Sequence, residues 1–93
     1  MSLDEYRKRM QPYREAYRET LYALEHQWAA EISATVERVS KSLPIPVSEG
    51  WIRSLSGPEH ELTIAHQQRV DALTMDYQIT SEAIRRELGL DSG

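Results

Sequence analysis

From Pro12 to Leu43 the chain keeps one helical period: Tyr13, Tyr17, Leu21, Leu24, Trp28, Ile32, Thr35, Val39 and Leu43 recur at spacings of three and four. Pro44 and Pro46 forbid any continuation, so a long helix is predicted over 12–43. At 100° per residue its apolar arc is about 200° wide, because Ala16, Ala23, Ala30 and Ala34 adjoin the larger side chains. One antiparallel partner helix covers only one stripe of such an arc. The width therefore predicts both an all-α fold and a surface that needs a second molecule.

The partner helix is predicted over 58–88. Ser56-Gly57-Pro58-Glu59 has the form of an S-x-x-E capping box with an early proline, and Gly89 stands ready as the left-handed residue that stops the helix, with Leu90 after it. This helix also carries two apolar faces: Leu62, Leu73, Tyr77, Ile84 and Leu88 on one, Ala72, Met75, Ile79 and Ala83 on the other. The two helices are each about 31 residues, or about 46 Å, which predicts an antiparallel hairpin pairing positions whose numbers sum to about 100. Two such hairpins close into a four-helix bundle, so a homodimer is expected. The connector 44–57 contains Val47, Trp51, Ile52 and Leu55 at the spacing of one or two helical turns, and is expected to be structured.

Ahead of Pro12, Ser2-Leu3-Asp4-Glu5 reads as a capping box, and Leu3, Tyr6 and Met10 continue a helical period. Pro12 then predicts a kink or a fresh start, leaving 1–11 as a kinked arm that overhangs the hairpin. The whole chain, 1–93, is read as one domain: arm 1–11, helix 12–43, connector 44–57, helix 58–88 and tail 89–93.

Composition narrows the function classes. A net charge of -4 disfavours nucleic acid and anionic membrane surfaces as partners. No cysteine is present, which removes thiolate metal sites and cysteine nucleophiles. The charged start has no apolar h-region and no apolar run approaches about 20 residues, so an acidic cytoplasmic protein is expected.

Candidate chemistry sits where polar residues interrupt the apolar arcs: Gln27, Glu31 and Arg38 on the first helix, His66, Arg69, Asp76 and Thr80 on the second. The predicted register sets Glu31 opposite Arg69, Arg38 near Glu61 and His66 within a turn of Glu31. These residues read either as a buried polar network of ion pairs that fix register or as a pocket for a small anion or metal. Glu31 with His66 is the one metal pair the register allows. None of His26, His60 and His66 has the glutamate three residues earlier that ferritin-like bundles use. No cofactor is expected. There is no G-x-S-x-G elbow, and the four glycines punctuate helices without cradling a phosphate. The stretch between Arg18 and Arg38 lacks any basic residue, unlike the inner face of AroQ-type chorismate mutases. The bend lacks the Trp-x-Gly of the WXG helical hairpins, reading Trp51-Ile52-Arg53.

Residues 1–18 carry five basic and three acidic residues, a net of +2 that leaves -6 for the rest. Tyr6, Met10, Tyr13 and Tyr17 form a stripe beside Arg14, and these residue types are enriched at protein interfaces. The sequence thus favours a non-enzymatic interaction module, a regulator, adaptor or assembly subunit acting as a homo-oligomer with the arm as its partner surface. A ligand- or metal-binding bundle and an obligate subunit of a hetero-complex are the alternatives.

Overall fold

The computed structural model describes residues 3–90, so the expected cap at Ser2 and the last three residues of the tail lie outside the described residues. Three helices make up the fold: α1 (Leu3–Ser42), α2 (Glu49–Ser54) and α3 (Glu61–Glu87), with no strand among the described residues. Helices α1 and α3 pack against each other as a hairpin, and α2 lies in their connection. Contacts divide the chain into two compact units, 3–22 with 70–90 and 23–69.

Pro12 lies inside α1, which makes no fresh start there. A proline removes one donor, here the one that would bond the Lys8 carbonyl; Lys8 is exposed, so water can serve that oxygen. Packing on the preceding turn holds the helix through the defect. Met10 is fully buried in a cluster with Ile84 and Leu88, and Tyr6, Tyr77 and Leu90 pack against it. Through Met10 and Tyr6 the segment 3–11 thus packs beside the last turns of α3 and does not overhang the second helix. The cause is register: Tyr6 bonds Ser81, Tyr17 stacks near Tyr77 and Arg9 pairs with Glu87. These positions sum to 87, 94 and 96 in place of the expected 100, which carries the last turns of α3 alongside Tyr6–Met10.

The C-terminus of α3 closes as its sequence predicts. Leu90 N–H donates to the Arg85 carbonyl (2.9 Å) and Gly89 N–H to that of Arg86 (3.1 Å), the paired bonds of a Schellman cap. Gly89 has φ 70°, open to glycine at little expense, and Leu90 folds back onto the core.

The unit 23–69 contains the bend. Ser48 caps α2 by accepting the Trp51 N–H (3.1 Å), Trp51 is half-buried, and Leu55 is almost fully buried just after the helix. Helix α3 begins at Glu61, three residues later than the Ser56–Glu59 pattern implies. The Ser56 hydroxyl donates backward to the Arg53 carbonyl (3.0 Å), and His60 Nδ1 takes the capping role by accepting the Leu62 N–H (3.1 Å). A side-chain acceptor two residues before Leu62 satisfies the same orphan donor that a serine would have served.

Candidate functional site

The polar residues that the sequence marks in mid-helix separate into different settings. Gln27 donates to Glu31 (3.0 Å), the Glu31 carboxylate approaches Arg69 (3.6 Å), and Thr35 donates to the Glu31 carbonyl (2.8 Å). The expected Glu31–Arg69 pair is therefore present. Its environment is not that of a buried network: Gln27, Arg38, Arg69 and Asp76 are exposed and Glu31 is half-buried. These positions lie toward the edge of the apolar arc, where one partner helix leaves them open to water.

His66 alone is buried, 6% exposed, and its surroundings differ from the expected ones. Its ring lies flat against the Trp28 indole, centroids 4.7 Å apart and planes 7° apart. Its Nε2 approaches the Glu25 carboxylate at 3.7 Å, so Glu25 and not Glu31 is its acidic neighbour. Glu31 meets Arg69 instead, and no group of three metal-ligating side chains occurs among the described residues. Two polar atoms in this stack, His66 Nδ1 and Trp28 Nε1, are buried with no hydrogen-bond partner. A buried orphan of this kind destabilises by about 1–3 kcal/mol.

Glu31 and Arg38 meet other groups in a cleft of about 440 Å³ in the same unit, walled also by Trp51, His60, Glu61 and Leu62. His60 accepts a backbone N–H at Nδ1, so its neutral ring carries the proton on Nε2. The cleft joins both charge signs to an apolar floor that includes Leu55.

The aromatic stripe of the N-terminal segment lies in the other unit and is largely turned inward. Met10 is sealed, Tyr6 is half-buried on Ser81, and Tyr17 shares a hydrogen bond with Thr74 (3.0 Å) while tilting against Tyr77 (4.8 Å). Tyr13, 49% exposed, and Arg14 remain open. A surface groove of about 160 Å³ runs between Tyr13, Ala16 and Thr20 on α1 and Leu73, Asp76, Tyr77 and Thr80 on α3. Asp76 therefore borders this groove and takes no part in the setting of Glu31 and Arg69.

Sequence reasoning found the individual side chains but missed the Trp28–His66 stack, the Glu25 contact and the capping by His60. A register sum near 92 would have exposed the first two, since 28 with 66 and 25 with 66 give 94 and 91. Comparison of the chain with protein-family models, curated proteins and solved structures returned no match.

Proposed function

We propose that this chain is a non-enzymatic helical interaction module that works as a homo-oligomer, two hairpins joining into a four-helix bundle. The observation that carries the reading is the second apolar face of α3. Ala72, Met75, Ile79 and Ala83 are all exposed, Met75 at 62% and Ile79 at 59%. On α1 the small-residue edge of Ala16, Ala23, Ala30 and Ala34 is exposed as well. Small residues let a second helix approach closely, and large apolar ones beside them reward its arrival. The chain's own core is thin: Met10, Leu55, Ile84 and Leu88 are its buried hydrophobics among the described residues. A chain of this size is near the limit at which a single core suffices.

Sedimentation equilibrium of the wild type and of the Met75→Glu, Ile79→Glu double variant tests the proposal. The wild type is expected at twice the chain mass and the variant at the chain mass, with helical content retained. A monomeric wild type at tens of micromolar would overturn it.

A second reading, a small-ligand site, draws on the cleft of Glu31, Arg38, Trp51 and His60. Native mass spectrometry and elemental analysis of the purified protein decide between the two, since a stoichiometric adduct favours the cleft.

A further inference from the structure

Within the unit 3–22 with 70–90, the two sides of the hairpin differ in chemistry. Taking Tyr17 as the direction in which α1 faces α3, Ala16 and Thr20 stand roughly 100° and 60° to one side at 100° per residue, and both line the apolar groove. Arg14, Arg7 and Arg18 stand roughly 60°, 80° and 100° to the other side. On α3, Thr80 and Asp76 line the groove, while Ser81, Thr74 and Arg85 lie on the opposite flank of Tyr77. Thr74 and Ser81 hold the hydroxyls of Tyr17 and Tyr6 there. That side therefore joins hydroxyl pairs, already satisfied, to a row of guanidiniums.

Arg7, Arg14 and Arg18 are exposed and meet no carboxylate or other acceptor among the described residues. Arg85 is half-buried and its Nε is enclosed without a partner. The nearby Arg9, by contrast, is paired with Glu87 at 2.6 Å. The acids of the same stretch of α1 stand farther round the helix: Asp4 and Glu15 lie beyond the arginines, roughly 140° and 160° from Tyr17, while Glu19 and Glu5 lie roughly 160° and 120° round on the groove side.

We infer that this arginine row is the docking surface for an acidic helix of a partner protein, an inference that rests on reading the chain as an interaction module. Arg7 and Arg14 are about 10.5 Å apart along the axis and Arg14 and Arg18 about 6 Å, the separations of carboxylates at i, i+7 and i, i+4 on a facing helix. Arginine forks bind carboxylates bidentately, which gives the row direction as well as charge. A nucleic acid fits less well. The row is one side chain wide and offers few cations, too few to neutralise the phosphates of an extended strand.

Fluorescence anisotropy with three probes tests the inference: an alanine-based helical peptide with glutamates along one face, an isomer with the same glutamates spread around the helix, and a short DNA duplex. The wild type is expected to bind the one-face peptide about tenfold more tightly than the isomer, with affinity falling as salt rises. The Arg7→Gln, Arg14→Gln, Arg18→Gln variant, its fold checked by circular dichroism, is expected to lose that preference. Equal binding of the two peptides, an unaffected variant, or tighter binding of the duplex at the same ionic strength each overturns the inference. Sedimentation of the triple variant keeps the two readings apart, because an unchanged oligomer mass with unchanged peptide binding removes the arginine row and leaves the bundle standing.

Discussion

The two units use the same pair of helices to opposite effect. In 3–22 with 70–90 the centre is apolar and closed: Met10, Ile84 and Leu88 are buried, Tyr6 and Tyr17 hand their hydroxyls to Ser81 and Thr74, and a Schellman cap satisfies the last carbonyls. In 23–69 the helix-to-helix contact includes a buried histidine on a tryptophan, each with a nitrogen left unbonded. At the packed centres the tyrosine hydroxyls of the first unit find partners, whereas Trp28 Nε1 and His66 Nδ1 in the second do not. Tyrosine reaches a hydroxyl at the edge of the interface, whereas the ring nitrogens of Trp28 and His66 are held inside it. Burial alone does not make a contact stabilising; what matters is whether its polar atoms leave water with a partner in hand.

Substitutions at the two centres should therefore move stability in opposite directions. Met10→Ala removes a fully buried side chain and is expected to lower the unfolding free energy by about 2–5 kcal/mol in urea titration. A loss below about 1 kcal/mol would show that 3–11 contributes little to the core. His66→Phe keeps a flat ring against Trp28 and removes the orphaned Nδ1; the Glu25 approach that it also removes is long, at 3.7 Å. It is expected to raise stability by about 1 kcal/mol, or the midpoint by roughly 4–8 °C for a chain of this size. A clear fall in midpoint would mean that the imidazole is better satisfied than its geometry shows, and the contrast between the units would narrow.

Much of this architecture was legible from side-chain spacing. The two apolar faces of α3 separate in the structure as they do on a helical wheel, Ile84 and Leu88 going inside and Met75 and Ile79 staying out. Gly89 and Leu90 announced their cap. What spacing could not fix was the axial offset between helices. Equal predicted lengths favoured a sum of 100, and that followed from treating Pro12 as the start of α1 and Pro58 as the start of α3. Both prolines misled for local reasons: Met10 and Tyr6 hold α1 through the first, and His60 caps α3 two residues beyond the second. A slip of a few residues sets Glu25 beside His66, while Glu31 keeps the expected Arg69. Long polar side chains tolerate an axial error of this size.

The same closed unit offers a backbone test. Gly89 sits at φ 70°, where a Cβ is strained, so Gly89→Ala is expected to destabilise by about 1 kcal/mol. Hydrogen exchange should localise the effect to the last turn of α3, with the amides of Gly89 and Leu90 losing protection first. Equal loss of protection at Trp51 and Leu55 would mean that the two units unfold as one, and the comparison between them would lose its thermodynamic content.

The smallest effects should come from the ion pairs, one in each unit. Arg9–Glu87 is short, 2.6 Å, with side chains 44% and 60% exposed; Arg69–Glu31 is longer, 3.6 Å, and less exposed at 41% and 32%. Water and salt screen both, so double-mutant cycles are expected to give coupling below about 1 kcal/mol for each. Of the two, the shorter pair has hydrogen-bond geometry and the longer one only charge proximity, so the larger coupling is expected at Arg9–Glu87. Raising the ionic strength to about 1 M should erase most of the Arg69–Glu31 value, since that contact has no directional component to retain. The reverse ranking at low salt would show that lower exposure outweighs geometry here, and that the unit containing the bend is held by its charges more than by its thin apolar centre.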